Sequence, residues 1–282
     1  MRIDLHAHSN VSDGTQTPAT LVAAAAAARL DVMALTDHDS TTGWAEALSA
    51  ARDHGMGLIP GMEISCKTAQ GVSVHLLCYL HDPFNAELLE EITKAKDARF
   101  SRAERMVERL AEDYPLNWDD VSAHVAPGAT IGRPHIADAL VAAGIVADRN
   151  EAFANILTSH SRYFVSHYAP DPVLAVELVR AAGGVPVFAH PVASARGRVA
   201  TPQTFHDMID AGLLGLEVDH RDNPAEGREW LRTLARDNGL FMTGSSDYHG
   251  AGKPNLLGEN LTTPEAFEAL VAAASGSRPY LP

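Results

Sequence analysis

Imidazoles and carboxylates recur in short clusters along the whole chain. They stand in Asp4-Leu5-His6-Ala7-His8, Ser12-Asp13-Gly14, Thr36-Asp37-His38-Asp39, Gly61-Met62-Glu63, His75, Ala189-His190-Pro191 and Ser246-Asp247-Tyr248-His249. His6 and His8 are two residues apart, so on an extended chain their rings share one face and can chelate a single ion. Asp247 and His249 repeat that spacing near the other end. The donors are nitrogen and oxygen without thiolate, which suits a catalytic centre of manganese, zinc or iron better than a structural zinc site. Nine such residues (His6, His8, Asp13, His38, Glu63, His75, His190, Asp247 and His249) exceed what one ion can use. Two or three ions bridged by a carboxylate fit the number, and such a cluster binds a phosphoryl group, acidifies a water and offsets the charge of an in-line displacement.

Scattered ligands can share ions only if the elements between them bring them to one rim. Ile3 to Leu5 reads as a strand, and Thr17-Pro18 opens a helix through Leu30 with Thr17 as its N-cap. A strand over Val32 to Leu35 and a helix from Gly43 to His54, stopped by Gly55, follow. Leu58 to Ile64 and Val72 to Leu80 read as two further strands joined across Gln70-Gly71. The rhythm then breaks. One long amphipathic helix from about Asn85 to Glu112 precedes shorter helices over Trp118 to Val125, Arg133 to Ala143 and Asn150 to Leu157, and a strand over Tyr163 to Ser166. Alternation resumes with helices at Pro172 to Ala182, Thr204 to Ala211, Ala225 to Asn238 and Thr263 to Ala274. The strands between them lie at Val185 to Ala189, Leu214 to Val218 and Leu240 to Gly244.

Repeated strand–helix units imply a parallel sheet, and about seven strands at this length suggest an incomplete or distorted α/β barrel. Residues 1–83 and 169–282 are assigned to that barrel, and residues 84–168 to a helical insertion packed over the active site. His6, His38, Glu63, His190 and Asp247 all fall at the carboxyl ends of strands, where such barrels collect their chemistry.

Composition agrees with a globular enzyme. The 282 residues are 46% hydrophobic, enough for a full core, and the formal charge of −14 excludes a broad nucleic-acid-coating surface. An anionic small substrate remains compatible, because bound cations reverse the local sign. Of the 14 histidines, His54, His81, His124 and His206 read as surface residues. Cys66 and Cys78 are the only cysteines, so there is neither a disulfide framework nor a thiolate cage. No signal peptide is visible, and the apolar stretch from Leu21 to Leu30 is too short and alanine-rich to cross a membrane. A cytoplasmic protein with no membrane or stable protein partner is the expectation.

The motifs His6-x-His8 with Asp13, Thr36-Asp37-His38-Asp39, Gly61-x-Glu63, His75, Ala189-His190-Pro191 and Ser246-Asp247-x-His249 resemble those of the PHP (polymerase and histidinol phosphatase) family of metal-dependent phosphoesterases. The match runs over nearly the whole chain and in the family's order. It implies a distorted (β/α)7 barrel and three ion sites. His6, His8, Glu63 and Asp247 would hold one; Glu63 would bridge to a second with His75 and His190; Asp13, His38 and His249 would hold a third. Asp4, Asp37, Asp39 and Ser246 would orient ligand imidazoles through hydrogen bonds. Manganese is the first choice of ion, with zinc or iron as alternatives.

Within the family, the Ser12-Asp13-Gly14-Thr15 context and the single helical insertion look most like the 3′,5′-nucleotide bisphosphate phosphatases and related 5′-3′ oligoribonucleases. That resemblance implies hydrolysis by a metal-activated hydroxide at the 3′-phosphate of adenosine 3′,5′-bisphosphate, with short RNA 5′ ends as a further substrate. Arg99 and Arg102 lie three apart on one helix face, and Arg133 and His135 open another helix where free N–H groups favour anions. These four and His167 are the candidate substrate contacts, since arginine forks suit a second, non-reacting phosphate. Arg105 reads instead as part of a solvated face. The basic turn seen in relatives is replaced here by Thr158-Ser159-His160-Ser161-Arg162, in which His160 or Arg162 could supply the positive charge. No residue is assigned as general acid. The alternatives are a histidinol-phosphatase-like or other small-molecule phosphatase, a non-catalytic metal-binding scaffold, and an amidohydrolase.

Overall fold

The computed structural model describes all residues, 1–282. Seven strands and ten α-helices follow one another as β1 (Ile3–Asp4), α1 (Pro18–Ala27), β2 (Val32–Leu35), α2 (Trp44–His54), β3 (Gly57–Lys67) and β4 (Ser73–Tyr79), then α3 (Ala86–Leu110), α4 (Trp118–Ser122), α5 (Arg133–Ala142) and α6 (Arg149–Asn155). The chain closes with α7 (Pro172–Ala181), β5 (Val185–Phe188), α8 (Pro202–Asp210), β6 (Gly215–Asp219), α9 (Ala225–Asn238), β7 (Phe241–Gly244) and α10 (Pro264–Ala273). Four helices begin alike, with Thr17, Asp171, Thr201 or Thr263 accepting a backbone N–H and proline following. Proline loses nothing at that position, because its missing N–H would have had no helical partner. At the other end of α2, Gly55 takes a left-handed φ of 61° that stops the helix.

The strands pair in chain order from β1 to β7, and a single bridge between Ala7 and Tyr248 nearly closes the ring. The interior is filled by Ile3, Leu5, Val32, Ala34, Ile59, Leu77, Tyr79, Val185 and Val187, all buried. Helices cover the outside, α1 and α2 on one flank and α7 to α9 on another. Not every strand is parallel, however. β4 runs antiparallel to both β3 and β5. The connection through residues 68–72 is too short for a parallel crossover, which needs a dozen residues or more.

The helices between β4 and α7 pack around a core of their own, including Met106, Leu110, Ile136, Leu140 and Leu157. The two halves of α3 serve different cores. Leu88 and Ile92 belong to the cluster beneath the barrel helices, while Ala103, Met106, Val107 and Leu110 belong to the helical segment. One helix therefore fixes the segment's position relative to the barrel.

Two further expectations fail. Tyr163 to Ser166 is not a strand. Arginines satisfy its carbonyls instead: Arg102 Nε donates to Val165 O at 3.0 Å, and Arg109 Nη1 donates to Phe164 O at 2.7 Å. His81 is not a surface residue but lies buried, edge-on to the Trp44 ring with centroids 5.0 Å apart.

Candidate metal centre and the cationic pocket beside it

The barrel delivers all nine expected ligands to one place. β1 ends at His6 and His8, β2 at His38, β5 at His190 and β7 at Asp247 and His249; Glu63 and His75 sit within the β3–β4 hairpin and Asp13 on the loop after β1. Their backbone is strained in part: His190 and Asp247 adopt positive φ values of 30° and 53°, and Asp39, beside His38, adopts 51°. Such conformations persist only where the surroundings enforce them, commonly at functional sites.

Glu63 stands at the middle. Its Oε1 lies 2.8 Å from His75 Nδ1 and 3.2 Å from His190 Nε2. Its Oε2 lies 3.1 Å from His8 Nε2, 3.2 Å from His38 Nδ1 and 3.3 Å from His6 Nε2. One carboxylate thus faces two ligand groups, as a bridging residue must. Asp247 Oδ1 lies 3.4 Å from each of His6 Nε2 and His8 Nε2, and Asp13 Oδ1 lies 3.2 Å from His249 Nε2. Three overlapping sets have donor atoms close enough to share an ion: His6, His8, Glu63 and Asp247; His8, Asp13, His38 and His249; and His38, Glu63 and His75. The expected grouping recurs in the first set. In the others, His8 joins Asp13, and His38 stands with Glu63 and His75 where His190 was expected; His190 is in none of the three sets, although its Nε2 lies 3.2 Å from Glu63 Oε1.

The donors fit divalent cations. His6 Nε2 and His8 Nε2 face each other at 3.0 Å, an arrangement that repels unless a proton or cation offsets two lone pairs. His38 Nδ1 and His249 Nε2 are buried without a hydrogen bond, although carboxylate oxygens lie 3.2 Å away. Buried nitrogens left so are costly, and they aim at common points rather than at one another. Electrostatics agree. Burial opposes charge throughout, yet His249 and His38 hold the Asp13 carboxyl well below its usual range, and Glu217 and Glu63 drive His6 well above its own. Against the cost of its burial, His8 is likewise raised to about 9 by Asp247 and Glu63.

Several residues around this centre carry no motif signal. Glu217 Oε1 accepts from His6 Nδ1 at 2.8 Å, and its Oε2 accepts from the His190 backbone N–H at 2.7 Å. It therefore fixes the His6 tautomer with Nε2 free to bind, a role the sequence reading gave to other carboxylates. Asp4 instead accepts backbone N–H groups of Ser246 and Gly258. Asp37 accepts from Ser9 and Ser12, and Asp39 accepts from Ser65 N and pairs with Arg99. None of these acids bonds a ligand imidazole directly; Asp37 reaches His8 through Ser12, whose Oγ lies 3.4 Å from His8 Nδ1. Asp247 Oδ2 is held by Arg196 Nη2 at 2.6 Å and Lys253 Nζ at 3.0 Å, with buried His220 Nε2 at 3.5 Å. A glutamate inside the apolar strand β6 and a histidine just past its end were the available clues to Glu217 and His220.

The expected substrate contacts divide. Arg99 lies 2.8 Å from Asp39 through Nε and also donates to Ser65 Oγ, so it borders the His38–Glu63–His75 side of the centre. Arg102 is 8% exposed, and burial followed by the nearby Arg133 and Arg99 pushes its guanidinium down to about 9. Arg133 is lowered for the same reasons, burial and Arg99. His167 is pushed down to about 3 by burial, then by Arg102, Arg99, Lys67 and Arg133. Arg102 and Arg133 have no acidic partner; their guanidinium groups lie over the Phe164 and Phe153 rings at 5.3 and 5.4 Å. Crowded cations without a carboxylate partner attract anions.

His135 does not join them. Its Nδ1 caps its own helix by accepting Gly132 N–H, and it feels Asp13, Asp138 and Arg149 rather than the arginine trio. Arg162 pairs with Glu112 and Asp113 on the surface, and His160 is exposed. Glu112 follows the end of α3, whose last residue, Leu110, is eight residues beyond Arg102, roughly 12 Å at helical rise. The extra positive charge comes instead from Lys67, whose Nζ donates to Ser166 Oγ and His167 O. Arg105 is exposed and bonds only its own helix, as expected for a solvated face.

A sequence profile described as the PHP domain matches residues 4–182. The chain is 32% identical over 258 residues to a 3′,5′-nucleoside bisphosphate phosphatase of Chromobacterium violaceum, covering 89% of this chain and 88% of that one. It is 31% identical to a 5′-3′ exoribonuclease of Haemophilus influenzae, covering 92% and 94%. A Bifidobacterium adolescentis structure, described as an inferred metal-dependent phosphoesterase, superposes with TM-score 0.94 at 44% identity, covering 97% and 96%. A structure described as an amidohydrolase from Chromobacterium violaceum, with sulfate and no metal bound, superposes with TM-score 0.86 at 30% identity, covering 98% of each chain.

Proposed function

The chain belongs to the PHP-domain family of metal-dependent phosphoesterases, and from that membership we propose that it removes the 3′-phosphate of a 3′,5′-nucleotide bisphosphate, with short 5′-phosphorylated RNA as a second substrate. The observation that carries this reading is the set of buried Arg102 and half-buried Arg99, Arg133 and His167 at the edge of the ligand cluster. A phosphatase for a single phosphomonoester needs charge only where the reacting phosphate sits. A second cationic pocket one residue away from His38 answers a second phosphate on the same molecule.

In this reading His6, His8, Asp13, His38, Glu63, His75, His190, Asp247 and His249 hold two or three divalent ions, manganese first among them. Bound ions of this kind supply positive charge to the phosphoryl oxygens and acidify a water. The chain's own residues do the rest. Glu63 divides its two oxygens between neighbouring ligand groups, and Glu217 fixes His6. Residues 84–168 act as a cap, supplying Arg99, Arg102, Arg133 and His167 to grip the non-reacting 5′-phosphate and so orient the 3′-phosphate for attack. No covalent phosphoenzyme is invoked, because the central serines are committed: Ser12 Oγ donates to Asp37, and Ser245 Oγ donates to Glu217.

The test is phosphate release with manganese from adenosine 3′,5′-bisphosphate, adenosine 3′-monophosphate and histidinol phosphate. Charge-assisted hydrogen bonds contribute about 1.5–3 kcal/mol each, so kcat/KM for the bisphosphate is expected to exceed the others by roughly tenfold or more. Arg133→Met is expected to erase most of that preference while leaving the monophosphate rate in place. Equal turnover of all three compounds would refute the bisphosphate reading.

A further inference from the structure

Two cations adjoin the ligand cluster at Asp247, and they are held differently. Arg196, on the turn after β5, donates through Nη2 to Asp247 Oδ2 and through Nε to Asp222 Oδ2, both at 2.6 Å. Its fork is closed between two carboxylates. Lys253 Nζ donates to the same Asp247 Oδ2 at 3.0 Å and has no other acceptor. A third donor faces that oxygen. His220 Nδ1 accepts the Asp222 N–H at 3.1 Å, so the ring proton sits on Nε2, 3.5 Å from Asp247 Oδ2. This ring is fully buried, and its Nε2 has no nearer partner. A carboxylate oxygen offers about two lone pairs, so with Arg196 and His220 in place the ammonium of Lys253 is the surplus donor.

The backbone beneath Lys253 is fixed, while its side chain is not. After His249 the chain turns through Gly250–Gly252. Gly250 has a left-handed φ of 65°, and a β-carbon there would collide with Thr15 Oγ1. That hydroxyl accepts the Ala251 N–H at 2.9 Å, and on the other side of Lys253 the Asn255 Nδ2 donates to Ser246 O at 2.7 Å. The turn thus aims Lys253 back at Asp247, yet its side chain remains 32% exposed, against 1% for Asp247. A flexible cation on a rigid turn, with one shared acceptor and access to solvent, can change partner at little cost.

We propose that Lys253 is a catalytic residue whose ammonium moves from Asp247 Oδ2 to an oxygen of the phosphoryl group under attack. The other oxygen, Asp247 Oδ1, is the one that faces the ligand imidazoles, 3.4 Å from each of His6 Nε2 and His8 Nε2. Once a bound cation offsets the charge on Oδ1, the carboxylate no longer needs two cations on Oδ2. Arg196 is tied to Asp222 and stays; Lys253 has no such tie. An ammonium is a compact charge with three donors, suited to the oxygens of a phosphoryl group that gains charge in the transition state. The two sets of cations meet different parts of the centre. Arg99 reaches it through Asp39, beside His38, whereas Lys253 reaches it through Asp247, facing His6 and His8. The inference rests on phosphoester hydrolysis at this centre and not on a second phosphate in the arginine pocket.

Lys253→Met and Lys253→Arg test this in the manganese-loaded protein, with adenosine 3′,5′-bisphosphate and adenosine 3′-monophosphate as substrates. Lys253→Met should lower kcat on both compounds alike, by about 10–100-fold, the loss of one charge-assisted hydrogen bond. Lys253→Arg keeps the charge and should recover most of that loss. By calorimetry, inorganic phosphate should bind Lys253→Met about tenfold more weakly, while manganese affinity does not fall, which also shows that the variant is folded. A drop in manganese affinity, with activity returning in excess manganese, would make Lys253 a positioning residue for Asp247 and overturn the inference. A loss confined to the bisphosphate overturns it by moving Lys253 to the second phosphate. Unchanged phosphate affinity overturns it whether or not either nucleotide is turned over. Equal turnover of both compounds by the wild type removes the bisphosphate reading alone and leaves Lys253 to be judged by its own variants.

Discussion

Glu217 shows how much of the centre depends on residues outside the ligand set. It is fully buried, and against the cost of that burial the His6 imidazole holds its carboxyl well below the usual range. Both oxygens are committed, one to His6 Nδ1 and the other to the His190 N–H. Glu217→Gln keeps the shape but turns one of those acceptors into a donor. The expected result is a 10–100-fold loss of manganese affinity by calorimetry, the usual range for a partner of a ligand histidine. Excess manganese should restore most of the activity. Unchanged affinity would show that Glu217 merely fills space. The neighbouring cations Arg196 and Lys253, both on Asp247 Oδ2, hold that carboxylate low together with His249 and His6.

The strands and helices turn a linear spacing into a rim, and the seams between them carry their own titration. His81 follows β4 and is buried against Trp44 of α2, and burial pushes its imidazole down to about 4. Above about pH 6.5 the ring is neutral whether the chain is folded or not. As pH falls from there toward 4, the unfolded chain takes up a proton that the folded seam refuses, so stability is lost over that window. At pH 4.5 the loss from this one group is roughly 2–3 kcal/mol relative to neutral pH. His81→Phe, compared with the wild type by urea unfolding at pH 7 and 4.5, should therefore lose less stability on acidification by about that amount. Identical pH slopes would refute the assignment. At the same scale, the register shift between Glu217 and Asp219 shows β6 adjusting where it delivers its acid.

Across the whole molecule, the candidate ligands come from both ends of the chain, so ion binding there would be linked to folding. Manganese at 100 times its dissociation constant would stabilise the folded state by about 2.7 kcal/mol, roughly 5–10 °C in Tm for a chain of this size. Chelator-stripped protein should melt lower by that margin and recover when manganese is returned; an unchanged Tm would contradict a centre built from these nine residues. Most of this architecture was legible in the sequence, because local rules govern it. Thr-Pro and Asp-Pro pairs start helices wherever they stand, Gly55 stops one, and His-x-His at a strand end puts two imidazoles on one face. The barrel's strand–helix alternation and the candidate ligand residues follow from such signals. Three-dimensional proximity is not local, and spacing alone could not supply it. The sequence could not tell that His81 is buried, that Arg162 lies far from Arg102, or that Lys67 reaches His167. Nor could it place His135 and Arg133, two residues apart, in different pockets. Partners hundreds of residues apart, such as His6 and Glu217, are set by where the closing sheet brings its strand ends. Periodicity and caps determined the elements and the ligand types; only closure of the barrel, and the packing of α3 across two cores, decided which charges meet.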